Sequence, residues 1–228
     1  MPSASAPDDI LRYERSFWRH DVANVAGVDE VGRGPIAGPV VAAAVILAEG
    51  VFIPGAADSK TLTHQRRSEI AREIHARAAA VSLGAASVRE IDRHNILRAT
   101  TRAMTRALAR LPLRPDHVVV DGLPVRGLAW EHEAVVGGDA LVHSIACASI
   151  VAKVCRDRLM TRLAPRYPGY GWDRNMGYAT RRHRRAVREA GLTPHHRTTF
   201  GLLQLELPLP EDADDPPTRD NRPPDVSP

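Results

Sequence analysis

Apolar positions enter this chain in two rhythms, short continuous runs and a helical stripe, and their order lays out a fold. From Val25 to Val31 the residues Val-Ala-Gly-Val-Asp-Glu-Val read as a strand, Gly32-Arg33-Gly34-Pro35 breaks it, and Val40 to Leu47 is an unbroken apolar run of strand length. This predicts two buried antiparallel strands with a glycine-rich connection. Thr63 caps a helix through Ile70, Ile74 and Ala78, after which Val81 to Ala86 returns to strand character. Ser87 and Glu90 form a capping box that opens a helix with Ile91, Leu97, Met104, Leu108 and Leu111 near one face, closed by Pro112 and Pro115. His117 to Asp121 is a short strand stopped by Gly122. From Ala140 to Leu163 small and apolar residues recur with helical period, turning basic at Arg156, Arg158 and Arg162, which predicts one long helix. An aromatic, glycine-rich loop spans Tyr167 to Tyr178, and Thr180 caps a final basic helix ending at Gly191. An antiparallel pair followed by strand and helix in alternation indicates an α/β domain: a central mixed β-sheet flanked by helices, with a helical C-terminal region.

Composition sets the borders. A chain of 228 residues is long enough for one well-buried domain. Residues 1–20 are polar and expected to be mobile up to Phe17 and Trp18, which can pack against the domain edge. The folded domain is expected to span 21–207. Residues 208–228 hold seven prolines and six acidic side chains, too little apolar material for a core, and are expected to be disordered. Removing that tail leaves 29 basic and 21 acidic residues, a net +8 in place of +4. Such a balance favours phosphate-bearing partners, although an arginine-rich composition has compositional causes as well. Cys147 and Cys155 sit in the apolar helical run and read as reduced core residues with no disulfide. The N-terminus lacks the basic start and apolar run of a signal peptide, and no stretch of 18 apolar residues exists, so a cytoplasmic protein with no membrane association is expected.

Four carboxylates interrupt strand ends or glycine turns. Asp29 and Glu30 lie between valines in a strand that sends neighbours to opposite faces, so at least one is buried and needs a cation or a set of donors. Asp121 ends a strand, at the edge where α/β sheets place ligands, and Asp139 follows Gly137-Gly138 at the start of the long helix. Taken singly, Asp139 reads more readily as a helix cap and Asp121-Gly122 as a turn. An oxygen-only set without a His or Cys cluster suits Mg2+ or Mn2+ and phosphoryl transfer. The histidines have no zinc spacing, and His183, His195 and His196 read as part of a basic surface. Gly32-Arg33-Gly34 is a hairpin turn or, beside the acidic pair, a close approach to a sugar or phosphate. Asp58-Ser59-Lys60 is a phosphate-binding candidate with a solvated loop as its equal alternative. Tyr178 has the chemistry to stack on a sugar or base.

The order of these pieces resembles the ribonuclease HII family. The matching stretches are AGVDEVGRGP from Ala26 to Pro35, AGPVV at 37–41, Asp58-Ser59-Lys60-Thr61-Leu62, Val120-Asp121-Gly122, ASIVAKV at 148–154 with Arg156-Asp157-Arg158, and Gly177-Tyr178-Ala179-Thr180. The resemblance implies a ribonuclease H-like fold and a metal-dependent endoribonuclease. Such an enzyme hydrolyses the RNA strand of RNA–DNA hybrids and cuts 5′ to single ribonucleotides in duplex DNA. It leaves 3′-hydroxyl and 5′-phosphate ends and serves primer removal or ribonucleotide excision. It implies Asp29, Glu30, Asp121 and Asp139 as catalytic metal ligands for Mg2+ or Mn2+. Gly32, Arg33 and Gly34 would read the ribose 2′-hydroxyl, Tyr178 would stack on the sugar at the RNA–DNA junction, and Ser59, Lys60 and Lys153 would complete the substrate-binding set of a monomer. Two positions depart from the family pattern: Gly137 stands where a lysine usually precedes the glycine–aspartate pair, and Asn175-Met176 replaces a histidine-lysine. Asp157 is expected to pair with a nearby arginine. The rivals are a nuclease of different substrate choice on the same scaffold and a non-catalytic hybrid-binding protein using the face from Arg156 to Arg188.

Overall fold

The computed structural model describes residues 10–56 and 62–199. Its centre is a five-stranded mixed sheet in the order β3-β2-β1-β4-β5. The strands are β1 (Val25–Val31), β2 (Val40–Ile46), β3 (Ala80–Ala86), β4 (His117–Asp121) and β5 (Glu133–Val135). β1, β2 and β3 pair antiparallel, whereas β4 runs parallel to β1 and β5 parallel to β4. The helices are α1 (Arg12–Trp18), α2 (His64–Arg77), α3 (Val88–Ala109), α4 (Gly138–Leu141), α5 (His143–Leu163), α6 (Trp172–Asn175) and α7 (Arg181–Ala190).

β2 explains the layering. All seven of its residues are buried, because both faces of the strand are covered. Val40, Ala42, Ala44 and Ile46 join Ala99, Ala103, Met104 and Ala107 of α3 on one side. Ala43 and Val45 join Ile70 and Ile74 of α2 and Cys147, Ile150 and Val151 of α5 on the other. The small residues let the helices come close. A Cβ on Gly27 would collide with the backbone of Ser144 and Ile145, so α5 crosses β1 where only glycine fits. The expected caps are present: Thr63 accepts from Arg66 N–H, Ser87 and Glu90 form a full capping box, and Thr180 accepts from His183 N–H.

Several elements differ from the sequence reading. The helix expected over 140–163 is broken at Val142, whose extended backbone (φ −123°, ψ 116°) separates α4 from α5. α3 is kinked at Asn95 (φ 67°, ψ 166°), which turns Leu97 out of the apolar stripe to 62% exposure. In the stretch 1–20, expected to be mobile, the described part is a docked helix. Leu11 and Glu14 of that segment are buried, Glu14 accepts from the Ser144 N–H (2.8 Å) and hydroxyl (2.9 Å), and Phe17 stacks on His117. His183 and His196 are buried rather than part of a basic surface, and Arg156 is fully buried, which removes it from the proposed basic face. Asp157 pairs with Lys153 at 2.9 Å, not with an arginine. Both cysteines are free thiols. Among the described residues no helix is long and apolar enough to cross a membrane. The expected disordered tail at 208–228 lies outside the described residues.

Candidate active site

Three strands share a direction; the C-terminal ends of β1 and β4 supply Asp29, Glu30 and Asp121, and α4, which follows β5, supplies Asp139. β1 and β4 are in register as far as Val28 and Val120, so Asp29 and Asp121 come one step later on neighbouring strands. β5 pairs Val135 with Asp121, and the chain leaves it directly for Gly137, Gly138 and Asp139. Alternation then divides the acidic pair. Asp29 shares the Gly27 side of β1, under α5, while Glu30 shares the Val28 side, towards α3.

The surroundings of Asp29 and Glu30 are unfavourable to negative charge. Asp29 is 8% exposed, and its carboxyl is pushed up to about 7, first by burial and then by the charge of Glu30, with a Ser149 hydroxyl bond pulling the other way. Its Oδ1 accepts from the Glu30 N–H at 2.7 Å. Glu30 is also raised by burial, against the pull of Arg33, whose Nη1 lies 3.0 Å from Oε1. Asp121 Oδ1 accepts from Gly138 N–H at 2.7 Å, which ties β4 to the start of α4. Asp139 is half-buried in the first turn of α4; Gly137 (φ 70°), not Asp139, is the cap residue. Among the described residues, no three His, Cys, Asp or Glu side chains are gathered closely enough to hold a metal ion. Asp29, Glu30 and Asp121 are instead each turned to a protein donor. The donor set nevertheless fits a hard divalent cation, because it is all oxygen and Asp29 is buried beside two like charges with no basic partner among the described residues. An ion held by Glu30 would compete with Arg33, which now pairs with it.

Beside the carboxylates, the loop from Gly32 to Pro39 is held from behind by two buried guanidinium groups. Arg197, 1% exposed, donates to the carbonyls of Gly32, Arg33 (2.9 Å) and Gly38 (2.9 and 3.1 Å). Arg156, 0% exposed, donates to Pro39 (3.0 Å), Ala37 (3.0 Å) and Met176 (2.8 Å). Burial, joined for Arg197 by the charge of Arg156, pulls both below the usual guanidinium range, Arg197 to about 9. Main-chain bonds knit the same region: Ile36 and Ala37 donate to Gly177, Gly38 to His195, and Arg197 to Ile36.

Tyr178 stands over this loop, 44% exposed, with a ring carbon 3.6 Å from where a Gly34 Cβ would lie. Its carbonyl accepts from His183 Nδ1 at 2.8 Å. Trp172 Nε1 donates to His183 Nε2, which also meets His196 Nε2 at 3.0 Å. One neutral arrangement is consistent with these contacts: His183 with its proton on Nδ1 and the single lone pair of Nε2 shared by the Trp172 and His196 donors, and His196 with its proton on Nε2 and its Nδ1 accepting from Thr193 N–H. Burial lowers both imidazoles, His196 to about 4, in keeping with neutral rings.

The structure thus brings together Asp29, Glu30, Asp121, Gly32, Arg33, Gly34 and Tyr178, with Asp139 in the first turn of α4, just beyond β5. Lys153 is engaged by Asp157. Ser59 and Lys60 lie outside the described residues. The two departures from the family pattern have local causes. Gly137 has a left-handed backbone with open space around it, a conformation that strains a lysine. Asn175 is buried, accepting from Gly177 N–H (2.8 Å) and donating to the Tyr170 carbonyl (2.7 Å), so it shapes the turn that presents Tyr178. Sequence reasoning missed Arg197, for which the irregular chain around it gives no signal. It also missed the burial of Arg156, which was readable: the residue falls on the helical stripe of Ile145, Ala148, Ala152 and Met160, all buried.

A family model described as Ribonuclease HII matches residues 26–202. A Ribonuclease HII from Thermosynechococcus vestitus is 52% identical over 205 residues, covering 89% of this chain and 94% of its own. Another from Ruegeria pomeroyi is 56% identical over 184 residues, covering 80% and 78%. Among solved structures, the ribonuclease H2 from Pyrococcus horikoshii OT3 gives a TM-score of 0.68 at 27% identity, over 80% of this chain and 97% of that one. The PCNA:RNase HII complex from Archaeoglobus fulgidus gives 0.67 at 26% identity, over 78% and 95%.

Proposed function

Because the chain belongs to the ribonuclease HII family, and is thereby a ribonuclease H and a hydrolase, we propose that it hydrolyses the RNA strand of RNA–DNA hybrids and cuts 5′ to single ribonucleotides in duplex DNA. The ends are 3′-hydroxyl and 5′-phosphate, and the cellular roles are primer removal and ribonucleotide excision in the cytoplasm, carried out by a monomer whose catalytic unit is 21–207. The observation that carries this reading is the meeting of an oxygen-only carboxylate set with a clamped glycine loop and Tyr178 at one end of the sheet.

Asp29, Glu30, Asp121 and Asp139 are the residues that hold divalent ions, Mg2+ or Mn2+. Bound there, such ions would lower the pKa of a water so that, once deprotonated, it could attack phosphorus, and would offset charge on the leaving oxygen. The remaining work is done by the chain itself. The peptides are trans, so carbonyl and N–H point opposite ways. With the Gly32 and Arg33 carbonyls turned inward to Arg197, the N–H groups of Arg33 and Gly34 face away from it. Those two amides are the donors we assign to the ribose 2′-hydroxyl. Arg33, released from Glu30, is free to meet a phosphate, and Tyr178 stacks on the sugar at the RNA–DNA junction.

The test uses a labelled DNA duplex containing one ribonucleotide, with Mg2+ or Mn2+, an EDTA control and an all-DNA duplex. A metal-dependent nick 5′ to the ribonucleotide and an intact all-DNA duplex are expected. Cutting of both duplexes alike overturns the 2′-hydroxyl reading, and silence on this substrate and on long hybrids overturns the hydrolytic one.

A further inference from the structure

A groove of about 900 Å³ runs from Glu30 and Asp121 along α3, past the kink at Asn95, to the loop 122–127. Its lining includes Arg33, Arg98, Arg102 and Arg126. The role assigned to the carboxylates, the glycine loop and Tyr178 leaves most of this surface without a task.

Three features show that it is built rather than incidental. First, the kink at Asn95 turns Leu97 out to 62% exposure, and Leu123 across the groove is 75% exposed. Two large apolar side chains facing water at the rim of a basic groove are a contact surface in waiting. Second, the wall opposite α3 is fastened: the Thr101 hydroxyl is shared between the carbonyls of Leu97 (3.1 Å) and Arg126 (3.3 Å), so the loop keeps its distance from the helix. Third, Thr100 lines the groove at 5% exposure with a hydroxyl that has no hydrogen-bond partner among the described residues. Two of the four charges are also unspent. Arg102 reaches Glu90 only at 3.6 Å, and Arg98 and Arg126 have no ion-pair partner among the described residues.

We propose that this groove seats the backbone of one strand of the substrate duplex beyond the cleavage position, with Arg98 and Arg126 on its phosphates and Leu97 and Leu123 against its sugars and bases. The proposal rests on the reading of the chain as a ribonuclease acting on duplexes. Polyanion is the occupant that the arginines select, and continuity with Glu30 and Asp121 makes it the same polyanion that is cut. Side chains that meet phosphates add affinity without reading sequence, which suits an enzyme that recognises a sugar.

The experiment measures binding, so that it does not depend on turnover. The full chain and an Arg98→Ala/Arg126→Ala variant are titrated by fluorescence anisotropy, in Ca2+, against a 24-base-pair duplex carrying one central ribonucleotide, at several salt concentrations. Expected is a Kd raised about tenfold, with the slope of log Kd against log salt reduced by roughly 1.8, two phosphate contacts' worth. Shortening the duplex on one side of the ribonucleotide should shrink the difference between variant and wild type, and shortening it on the other side should not. That asymmetry separates a strand in the groove from general weakening of the fold, which would act equally on both truncations. An unchanged Kd and slope overturns the proposal, as does a loss indifferent to both truncations. A wild type that binds the duplex but never cleaves it overturns the catalytic reading and leaves this one standing.

Discussion

Gly32 rests against Arg156 so closely that a Cβ on the glycine would overlap the arginine's Nε. The glycine also has φ +95°, where a side chain is strained whatever the space. Gly32→Ala therefore has to move a buried guanidinium that holds Pro39, Ala37 and Met176. The expected result is a loss of about 1–3 kcal/mol in stability and a fall of roughly 100-fold in cleavage at a single ribonucleotide, since a displacement of about 1 Å costs that much. Thermal unfolding and single-turnover rates measured side by side check it; wild-type rates in a well-folded variant would refute the clamp as a positioning device.

Asp29 opposes stability in the metal-free fold. Its carboxyl, near 4 when unfolded, is raised to about 7 in the metal-free fold. The folded state thus holds a proton that the unfolded state has lost between those values, and stability from this group falls as pH rises from about 4 to about 7. Asn cannot titrate and keeps the acceptor for Glu30 N–H. Asp29→Asn should then be more stable than wild type above pH 7 in EDTA, by at most about 4 kcal/mol at about 1.4 kcal/mol per unit, with the difference vanishing near pH 4. Its turnover should drop by several orders of magnitude while binding of a hybrid persists. Denaturant unfolding across that pH range, with a cleavage assay, tests both halves.

Tyr178 is exposed and sits over Gly34, so its loss should remove a contact to one sugar and little else. Tyr178→Ala is expected to reduce kcat/KM about tenfold or more on a duplex with one ribonucleotide, and less on a long hybrid, where neighbouring positions offer alternatives; Tyr178→Phe should keep most of the activity. Equal losses on both substrates would assign the ring to packing.

Glu14 reaches across to the start of α5, where it takes the N–H and hydroxyl of Ser144. Burial raises its carboxyl, so a neutral side chain with one accepting oxygen suffices. Glu14→Gln should be nearly neutral, whereas Glu14→Ala leaves buried donors unmet and should cost about 1–3 kcal/mol. Scanning calorimetry on the two variants decides; equal melting temperatures would mean that α1 contributes nothing to the frame of α5.

What was legible in the sequence was whatever a local anomaly betrayed. An acidic pair inside an apolar strand cannot be ordinary core, so Asp29 and Glu30 stand out, and glycines beside Asp121 and Asp139 mark chain reversals at strand ends. Caps at Thr63, Ser87 and Thr180 are short-range and were read correctly. Contacts between distant parts of the chain were not legible: Glu14 with Ser144, Arg197 with Gly32, and the His183 and His196 pair, whose basic neighbours in α7 suggest a surface. β5 is three residues long with one exposed position, too short for any period to register. The break at Val142 has no local signal either, because a β-branched residue is common inside helices.

The anchoring points of the site are the ends of β1, β4 and β5, and their separation is the spacing of hydrogen-bonded strands, about 4.8 Å in any sheet. Main-chain geometry therefore acts as the ruler, and side-chain packing only supports it. Robustness and turnover should come apart accordingly. A core truncation such as Ile74→Val, on α2 and away from all three strands, is expected to cost about 0.5–1.5 kcal/mol and leave the rate at 25 °C untouched, which gives this enzyme room to drift in sequence through its interior while its carboxylates stay in place.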